Sequence, residues 1–273
     1  MYSAVVDLLE DAGVRVVGSA RVYRPEISLE RCEVKALKPQ NIVEMLDLGS
    51  RDFGFTGADW MSELGGSAVE LLDTGLDPVR VVAAAPAGVV DERELSRRAV
   101  VVASEYQQLA RRWIRERGLE ARFVRSYGAT EVFPPEDADV IVDNTATGST
   151  LAANGLVIVD ELMTSSTRLY ANSRALDDPE KGPRIENLRM LLESVLEARG
   201  RVMVELNAPG EQVEVIAGLL PCMRDVTVSP LMGDRGYALR AAIPRVRLPE
   251  VIPALKAAGG TDVVVSQIGQ IVP

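Results

Sequence analysis

The chain has 273 residues, 30 Lys+Arg against 40 Asp+Glu, two Cys and no His. That length supplies one large or two to three small domains with ample core, and 47% apolar with 26% charged residues is ordinary for a globular protein. The lack of His excludes a Ser-His-Asp triad, a Cys-His pair and a His-based zinc site, and the net charge of −10 argues against a general nucleic-acid binder.

Acid–base work must then fall to carboxylates, Lys, Tyr or the substrate itself. Cys32 and Cys222 are far apart and read as buried thiols of a reducing compartment. The longest apolar runs, such as residues 81–86, fall far below the ~18–20 residues of a membrane span. No basic stretch leads into an apolar one at the start, so a cytoplasmic protein is expected.

Residues 4–12 are apolar at helical spacing, and Gly13 is a natural stop. A short buried strand is expected at residues 14–17 and another at 33–37. Pro39 opens a helix that Gly49 ends. Strands follow at 52–56, 79–85, 98–103, 121–124 and 140–142, with helices at 58–64 and about 105–117 between them. Strands alternating with helices predict an α/β fold with a largely parallel sheet, and two such sheets fit before residue 200. Pro183 opens a helix of good formers that Gly200 ends. Beyond it the order is β-α-β-β-α-β, the ferredoxin-like pattern, with a Gly-containing turn at 233–236 inside the β-β step.

One stretch carries chemistry. Residues 140–156 read VIVDNTATGSTLAANGL. An apolar strand ends at Asp143, and a small-polar loop leads into a helix near Thr150. Thr147, Gly148, Ser149 and Thr150 offer hydroxyls and closely spaced amides at a helix start, which suits a phosphate. Gly148 keeps a Cβ out of the anion's way. Asp143 is placed to accept from sugar hydroxyls. An ordinary strand-to-helix turn with N-cap residues has the same local pattern. The loop lacks a P-loop Lys and the GxGxxG spacing.

DNTATGSTLAANGL (143–156) resembles the phosphate-loop motif of the ATP phosphoribosyltransferase family. ARVYRP (20–25), LKPQNIVEMLDLGSRDFGFTGADW (37–60) and ASEYQQLARRW (103–113) are similar to further motifs of that family, in order. MVELNAP (203–209) and VTVSPL (226–231) resemble its C-terminal regulatory domain. The resemblance implies the first step of histidine biosynthesis: ATP and phosphoribosyl pyrophosphate, with Mg²⁺, give N1-(5-phosphoribosyl)-ATP and pyrophosphate. Adenine N1 is the nucleophile, which agrees with a chain that has no His. It also implies a two-lobed core like the type II periplasmic binding proteins, plus the ferredoxin-like domain. Lobe one is expected at 1–84 and 160–199, lobe two at 85–159 and the regulatory domain at 200–273.

Carried over by position, Ala146, Thr147, Gly148, Ser149 and Thr150 would hold the 5-phosphate and Asp143 the ribosyl hydroxyls. Arg21, Tyr23, Thr56, Gly57, Asp59, Glu105 and Tyr106 would face ATP or pyrophosphate. Asp59 is equally suited to cap the helix of Trp60. Glu131 would assist proton loss from the adenine amino group, or sit in a salt bridge. Trp60 and Trp113 read as core. Histidine is expected as feedback inhibitor, met at Glu205 and Thr227, and the chain is expected to form dimers and hexamers.

Three departures from the family pattern stand out. The family's opening strand, ending P-K-G-R, does not precede the first helix. This predicts either a start upstream of Met1 or a weakened relative that serves binding or regulation. Pro134 and Pro135 should shorten the helix before the strand at Val140, which disturbs the placement of Glu131. Asn144 replaces an aliphatic residue, and RDVT (224–227) replaces S-P-T.

Overall fold

The computed structural model describes residues 1–18, 22–88, 99–233 and 235–272. It divides into two compact units, Met1–Asp7 with Arg15–Arg189 and Leu8–Val14 with Met190–Pro273. The elements before residue 105 are α1 (Tyr2–Asp11), β1 (Val16–Val17), β2 (Glu26–Ile27), α2 (Pro39–Asp47), β3 (Phe53–Gly57), α3 (Ala58–Leu64), β4 (Val69–Pro86) and β5 (Val100–Ser104). There follow α4 (Gln107–Glu116), β6 (Ala121–Arg125), β7 (Val140–Thr145), α5 (Ser149–Ala153), β8 (Leu156–Ala171), α6 (Ser173–Asp177) and α7 (Lys181–Arg199). The last are β9 (Arg201–Ala208), α8 (Val213–Gly218), β10 (Thr227–Pro230), β11 (Tyr237–Pro244), α9 (Leu248–Ala257) and β12 (Thr261–Gln267).

The first unit is built on a six-stranded sheet in the order β3-β8-β4-β7-β5-β6. The run VVAAA of β4 is apolar at every position because both of its faces are covered. Val81, Ala83 and Ala85 meet Leu109, Ala110 and Trp113 of α4 on one face, along with Val102 and Val142. Val82 and Ala84 turn to the other face and meet Ile141, Leu151 and Leu156. At the β3 end, Val43 and Leu46 of α2 and Met61 of α3 pack around Tyr170.

Two expectations are corrected here. The sheet is not largely parallel: β5 runs parallel to β6 and β7, whereas β3–β8, β4–β8 and β4–β7 are antiparallel. Nor, among the described residues of the first unit, do the longer strands divide between two sheets; apart from the small β1–β2 ribbon they join one sheet. β4 has 18 residues and β8 has 16, and their ladder, with several register shifts, carries hydrogen bonding from β3 through to β7. The first half of β4 was hidden by Gly75 and Asp77, both at positive φ, which mark irregular points of the strand. β8 has no clear strand signature in the sequence because polar residues interrupt its apolar ones.

Locally, Glu33–Leu37 is irregular, and β1 pairs with β2 instead. Only Val16–Val17 of the expected buried strand forms, and Val17 is exposed, since a two-residue ribbon has no second layer over it. Pro134 and Pro135 do stop the preceding segment at a single 3₁₀ turn, Thr130–Val132. Cys32 and Cys222 are free and only half-buried.

The second unit holds β9-α8-β10-β11-α9-β12, with strand order β10-β11-β9-β12 and antiparallel neighbours throughout. That is the ferredoxin-like arrangement. Val202, Val204, Leu206 and Ala208 alternate into its core and meet Ile216 of α8 and Val251 and Leu255 of α9. The fold as a whole is α/β.

The start of α4 shows how a buried charge organises this fold. Glu63, on α3, is buried, and its carboxylate accepts from the Gln108 amide at 2.9 Å and from the Leu109 amide at 2.9 Å. These are among the amides a helix start leaves without an internal partner. Glu63→Ala should therefore cost about 1–3 kcal/mol, the penalty for buried donors left unpaired. Urea denaturation reads this as a lower midpoint at unchanged slope; an unmoved midpoint would mean that water satisfies these amides.

Candidate functional site

β7 delivers its last residues from the core to the surface. Val140, Ile141 and Val142 are buried, Asp143 is half-buried, and Asn144 is exposed. Thr145 turns back inside, and its Oγ1 accepts from the Gly148 amide at 2.9 Å. This bond folds residues 145–148 into a tight loop. Gly148 has φ of +81° and caps α5, a conformation that strains any residue with a Cβ. Thr147 Oγ1 donates to Ser149 Oγ at 2.9 Å and accepts from the Ser149 amide at 3.3 Å. Leu151 is buried among Ile141, Leu156 and their neighbours and anchors α5 to the sheet. Ala146, Thr147, Ser149 and Thr150 are exposed on the loop's outer side.

Asp143 lies at the foot of this loop. Its Oδ1 accepts from the Asn144 amide at 2.8 Å. Burial raises its pKa to about 6, and the carboxylates of Glu131 and Glu105 push in the same direction. The Asn144 amide and the Thr130 hydroxyl pull the other way without cancelling the rise. The three carboxylates thus come from β7, the 3₁₀ turn and the segment before α4. Among the described residues Glu131 has no ion pair, so the salt-bridge alternative for it has no partner here.

A second group lies behind the loop. Asp59 is 5% exposed and Tyr106 1%. Tyr106 donates its hydroxyl to Asp59 Oδ2 at 2.6 Å, and Asn144 Nδ2 donates to that hydroxyl at 2.7 Å. Ser165 Oγ donates to Asp59 Oδ1 at 2.7 Å and accepts from the Asp59 amide at 3.0 Å. A Cβ on Gly57 would fall 2.1 Å from Asp59 Oδ1, so glycine there leaves room for the carboxylate. Burial, and then the Asp59 charge, push the Tyr106 hydroxyl well above its usual range. Trp60 packs on the Tyr106 ring, with centroids 4.6 Å apart. Trp113 is buried and donates Nε1 to Asp160 at 2.7 Å.

The expected ligand-facing residues therefore divide. Thr56 and Asp59 turn inward: Thr56 Oγ1 donates to the Pro39 carbonyl at 3.3 Å, and Asp59 is enclosed as described. Asp59 stands one residue inside α3, whose N-cap is Gly57, so it is not the helix cap. Tyr106 is enclosed too, and the start of α4 is already occupied by Glu63. Tyr23 is exposed, and Arg21 lies outside the described residues. Thr145 and Asn144 join the site through contacts that no local motif marks. In the second unit, Glu205 pairs with Arg240 at 3.3 Å, and Arg240 lies in register between Glu205 and Thr227.

A family model described as ATP phosphoribosyltransferase matches residues 38–194, and one described as HisG, C-terminal domain, matches residues 198–270. The chain belongs to the ATP phosphoribosyltransferase family. The ATP phosphoribosyltransferase of Chlorobium phaeovibrioides is 32% identical, over 100% of this chain and 94% of its own. That of Solibacter usitatus is 33% identical, over 100% of this chain and 96% of its own. A chain of the ATP phosphoribosyl transferase (HisG:HisZ) complex from Thermotoga maritima shares the fold, with a TM-score of 0.61 over 70% of this chain and 93% of its own, at 24% identity. No described helix is long and apolar enough to cross a membrane.

The raised Asp143 carboxyl has a consequence for stability. Its folded value, about 6, lies above the ordinary 3.8, so the folded state binds the proton more tightly. Ionising Asp143 thus weakens the fold as pH rises through this window. Asp143→Asn should raise the thermal midpoint at pH 8, and the gain should vanish by about pH 4. Glu131→Gln should act in the same direction by a smaller amount. Thermal melts across that range check this, and equal gains for Asp143→Asn at both ends would refute it.

Proposed function

We propose that the loop of residues 145–150 and Asp143 form the phosphoribosyl pyrophosphate site of an ATP phosphoribosyltransferase. Family membership carries the reaction itself: a phosphoribosyl-transferring glycosyltransferase of the first step of histidine biosynthesis. Adenine N1 attacks C1′, the bond from C1′ to pyrophosphate breaks, and no covalent enzyme intermediate is needed. The alternative of a weakened regulatory relative is not favoured, since both family models and long relatives match.

The observation that carries the site is the Thr145–Gly148 bond. It holds the loop in a turn before any ligand arrives, which lowers the entropy lost on binding. In this reading Ala146, Thr147, Gly148, Ser149 and Thr150 hold the 5-phosphate through amides and hydroxyls. Asp143, when ionised, accepts from the ribosyl hydroxyls. Glu131 and Glu105 flank it, with Glu131 taking up the proton that the adenine amino group loses. Thr56, Gly57, Asp59 and Tyr106 support the site from behind, and Tyr23 and Arg21 meet ATP or pyrophosphate.

Among the described residues no group of three or more His, Cys, Asp or Glu is placed to hold a metal ion. In this reading Mg²⁺ would come in on substrate phosphates and meet the Asp143 and Glu131 carboxylates. The ion would neutralise the leaving pyrophosphate. The same reading makes the lobes 1–84 with 160–199 and 85–159, and the chain a cytoplasmic homo-oligomer. It also makes histidine an inhibitor met on the sheet of the C-terminal domain at Glu205 and Thr227. Glu205→Ala should then raise the histidine concentration needed for half-inhibition; an unchanged value would remove Glu205 from that role.

The central test is formation of phosphoribosyl-ATP, followed by absorbance with Mg²⁺, ATP and phosphoribosyl pyrophosphate. Thr150→Ala and Gly148→Val should each raise KM for phosphoribosyl pyrophosphate about tenfold or more, from the loss of a charge-assisted contact or of the left-handed turn. Unchanged KM in both would reduce the loop to an ordinary turn. For the wild type, kcat/KM for phosphoribosyl pyrophosphate should fall below about pH 6, as Asp143 protonates. Glu131→Gln should move that limb to lower pH, because it removes a carboxylate that raises Asp143.

A further inference from the structure

We propose that Asn144 is a positioning residue for the phosphoribosyl site, held by the buried Ser165–Asp59–Tyr106 chain and in turn fixing Asp143 and the start of the loop. The proposal rests on the assignment of the loop to phosphoribosyl pyrophosphate.

The polarity of the chain is determined from the inside outward. The Asp59 carboxylate only accepts, and it receives one hydrogen bond from Ser165 Oγ at 2.7 Å and one from the Tyr106 hydroxyl at 2.6 Å. With its one O–H directed at Asp59, the Tyr106 oxygen offers only lone pairs to other partners. It must meet a donor, and Asn144 Nδ2 supplies one at 2.7 Å. This orients the carboxamide, with Nδ2 inward and Oδ1 outward. The four residues sit on four separate pieces of the first unit: β8, α3, the segment before α4, and β7. Three of them are buried, and Asn144 is the exposed end.

Asn144 also acts through its backbone. Its amide donates to Asp143 Oδ1 at 2.8 Å, so the peptide plane that carries the clamped side chain also sets the direction of the Asp143 carboxylate. On its other side Thr145 begins the loop and holds the Gly148 amide. A rotation at Asn144 therefore moves both the group assigned to the ribosyl hydroxyls and the first bond of the loop assigned to the 5-phosphate. Misplacement of about 1 Å at such a site is enough to cost much of its binding. Asn144 needs no contact with the reacting atoms for this role.

The test uses Asn144→Leu, which keeps the side chain's shape and removes the donor, together with Tyr106→Phe, which keeps the ring on Trp60 and removes the hydroxyl. KM and kcat are measured for each substrate, with calorimetric binding of phosphoribosyl pyrophosphate and thermal melts alongside. Asn144→Leu should raise KM for phosphoribosyl pyrophosphate about three- to tenfold, the usual effect of one neutral hydrogen bond. KM for ATP should stay within twofold, and the melting temperature should fall no further than in Tyr106→Phe, since both changes break the same hydrogen bond. Asn144→Gln, which retains the amide donor, should recover much of the loss. The double variant should be no worse than Tyr106→Phe alone, because both changes break one chain.

An unchanged KM for phosphoribosyl pyrophosphate in Asn144→Leu, or fully additive effects in the double variant, would overturn the proposal. So would equal rises for both substrates accompanied by a lowered melting temperature, which is the pattern of a purely structural role. The Thr150→Ala variant separates the levels. If it loses affinity while Asn144→Leu does not, the positioning role fails and the site stands. If the wild type with Mg²⁺ does not bind phosphoribosyl pyrophosphate at all, the site assignment fails and this inference falls with it.

Discussion

The long antiparallel pairing of β4 with β8 is the constraint on which the rest of the first unit depends. Two strands of 18 and 16 residues hold every other strand of that sheet in place. β3 attaches to the far end of β8, and β7 attaches to the near end of β4. The groups that α2, α3 and β3 carry are thereby fixed relative to those on β5, β7 and α4. A ladder this long does not stay regular, and its register shifts absorb the twist that strands accumulate. Residues distant in sequence then meet at hydrogen-bond distance: Asp59 with Ser165, Tyr106 and, through it, Asn144.

Those meetings are polar and buried, which makes them demanding. A buried carboxylate needs partners at most of its lone pairs, or it becomes neutral or destabilising. Asp59 and Glu63 are both satisfied by bonds that cross between elements, and they hold α3 against α4 and β8. Asp143 stands differently. Burial first, and then the nearby Glu131 and Glu105 carboxylates, raise its pKa. A carboxylate held in this state is under strain that a ligand's hydroxyls or a cation would relieve, and such groups concentrate at functional sites. Asp59 is thus enclosed by partners while Asp143 stays half-buried at the foot of the loop, although the sequence offered both as ligand-facing.

The loop itself was legible because its chemistry is local. Small residues, hydroxyls and a glycine in a strand-to-helix turn restrict the backbone within a few residues, and Gly148 does adopt the left-handed conformation that such a turn needs. The C-terminal domain was legible for a related reason. Its strands alternate buried and exposed residues with period two, as in β9, and short turns separate its elements. The β-α-β-β-α-β order can be read directly from that rhythm.

The element order of the C-terminal domain, the helices of the first unit from α2 to α4, the tight turn before α5 and the family are all legible along the chain. Each is encoded in neighbours along the chain, where periodicity, glycine and proline act over a few residues. Tertiary pairing makes the sheet mixed and continuous, forms β8, and turns Asp59 and Tyr106 inward. These facts depend on partners about 40 to more than 100 residues away, as with Asn144 and Tyr106 or Asp59 and Ser165. A polar residue in sequence does not reveal whether its partner is water, a ligand or another buried side chain. That is settled by burial, which the fold as a whole imposes.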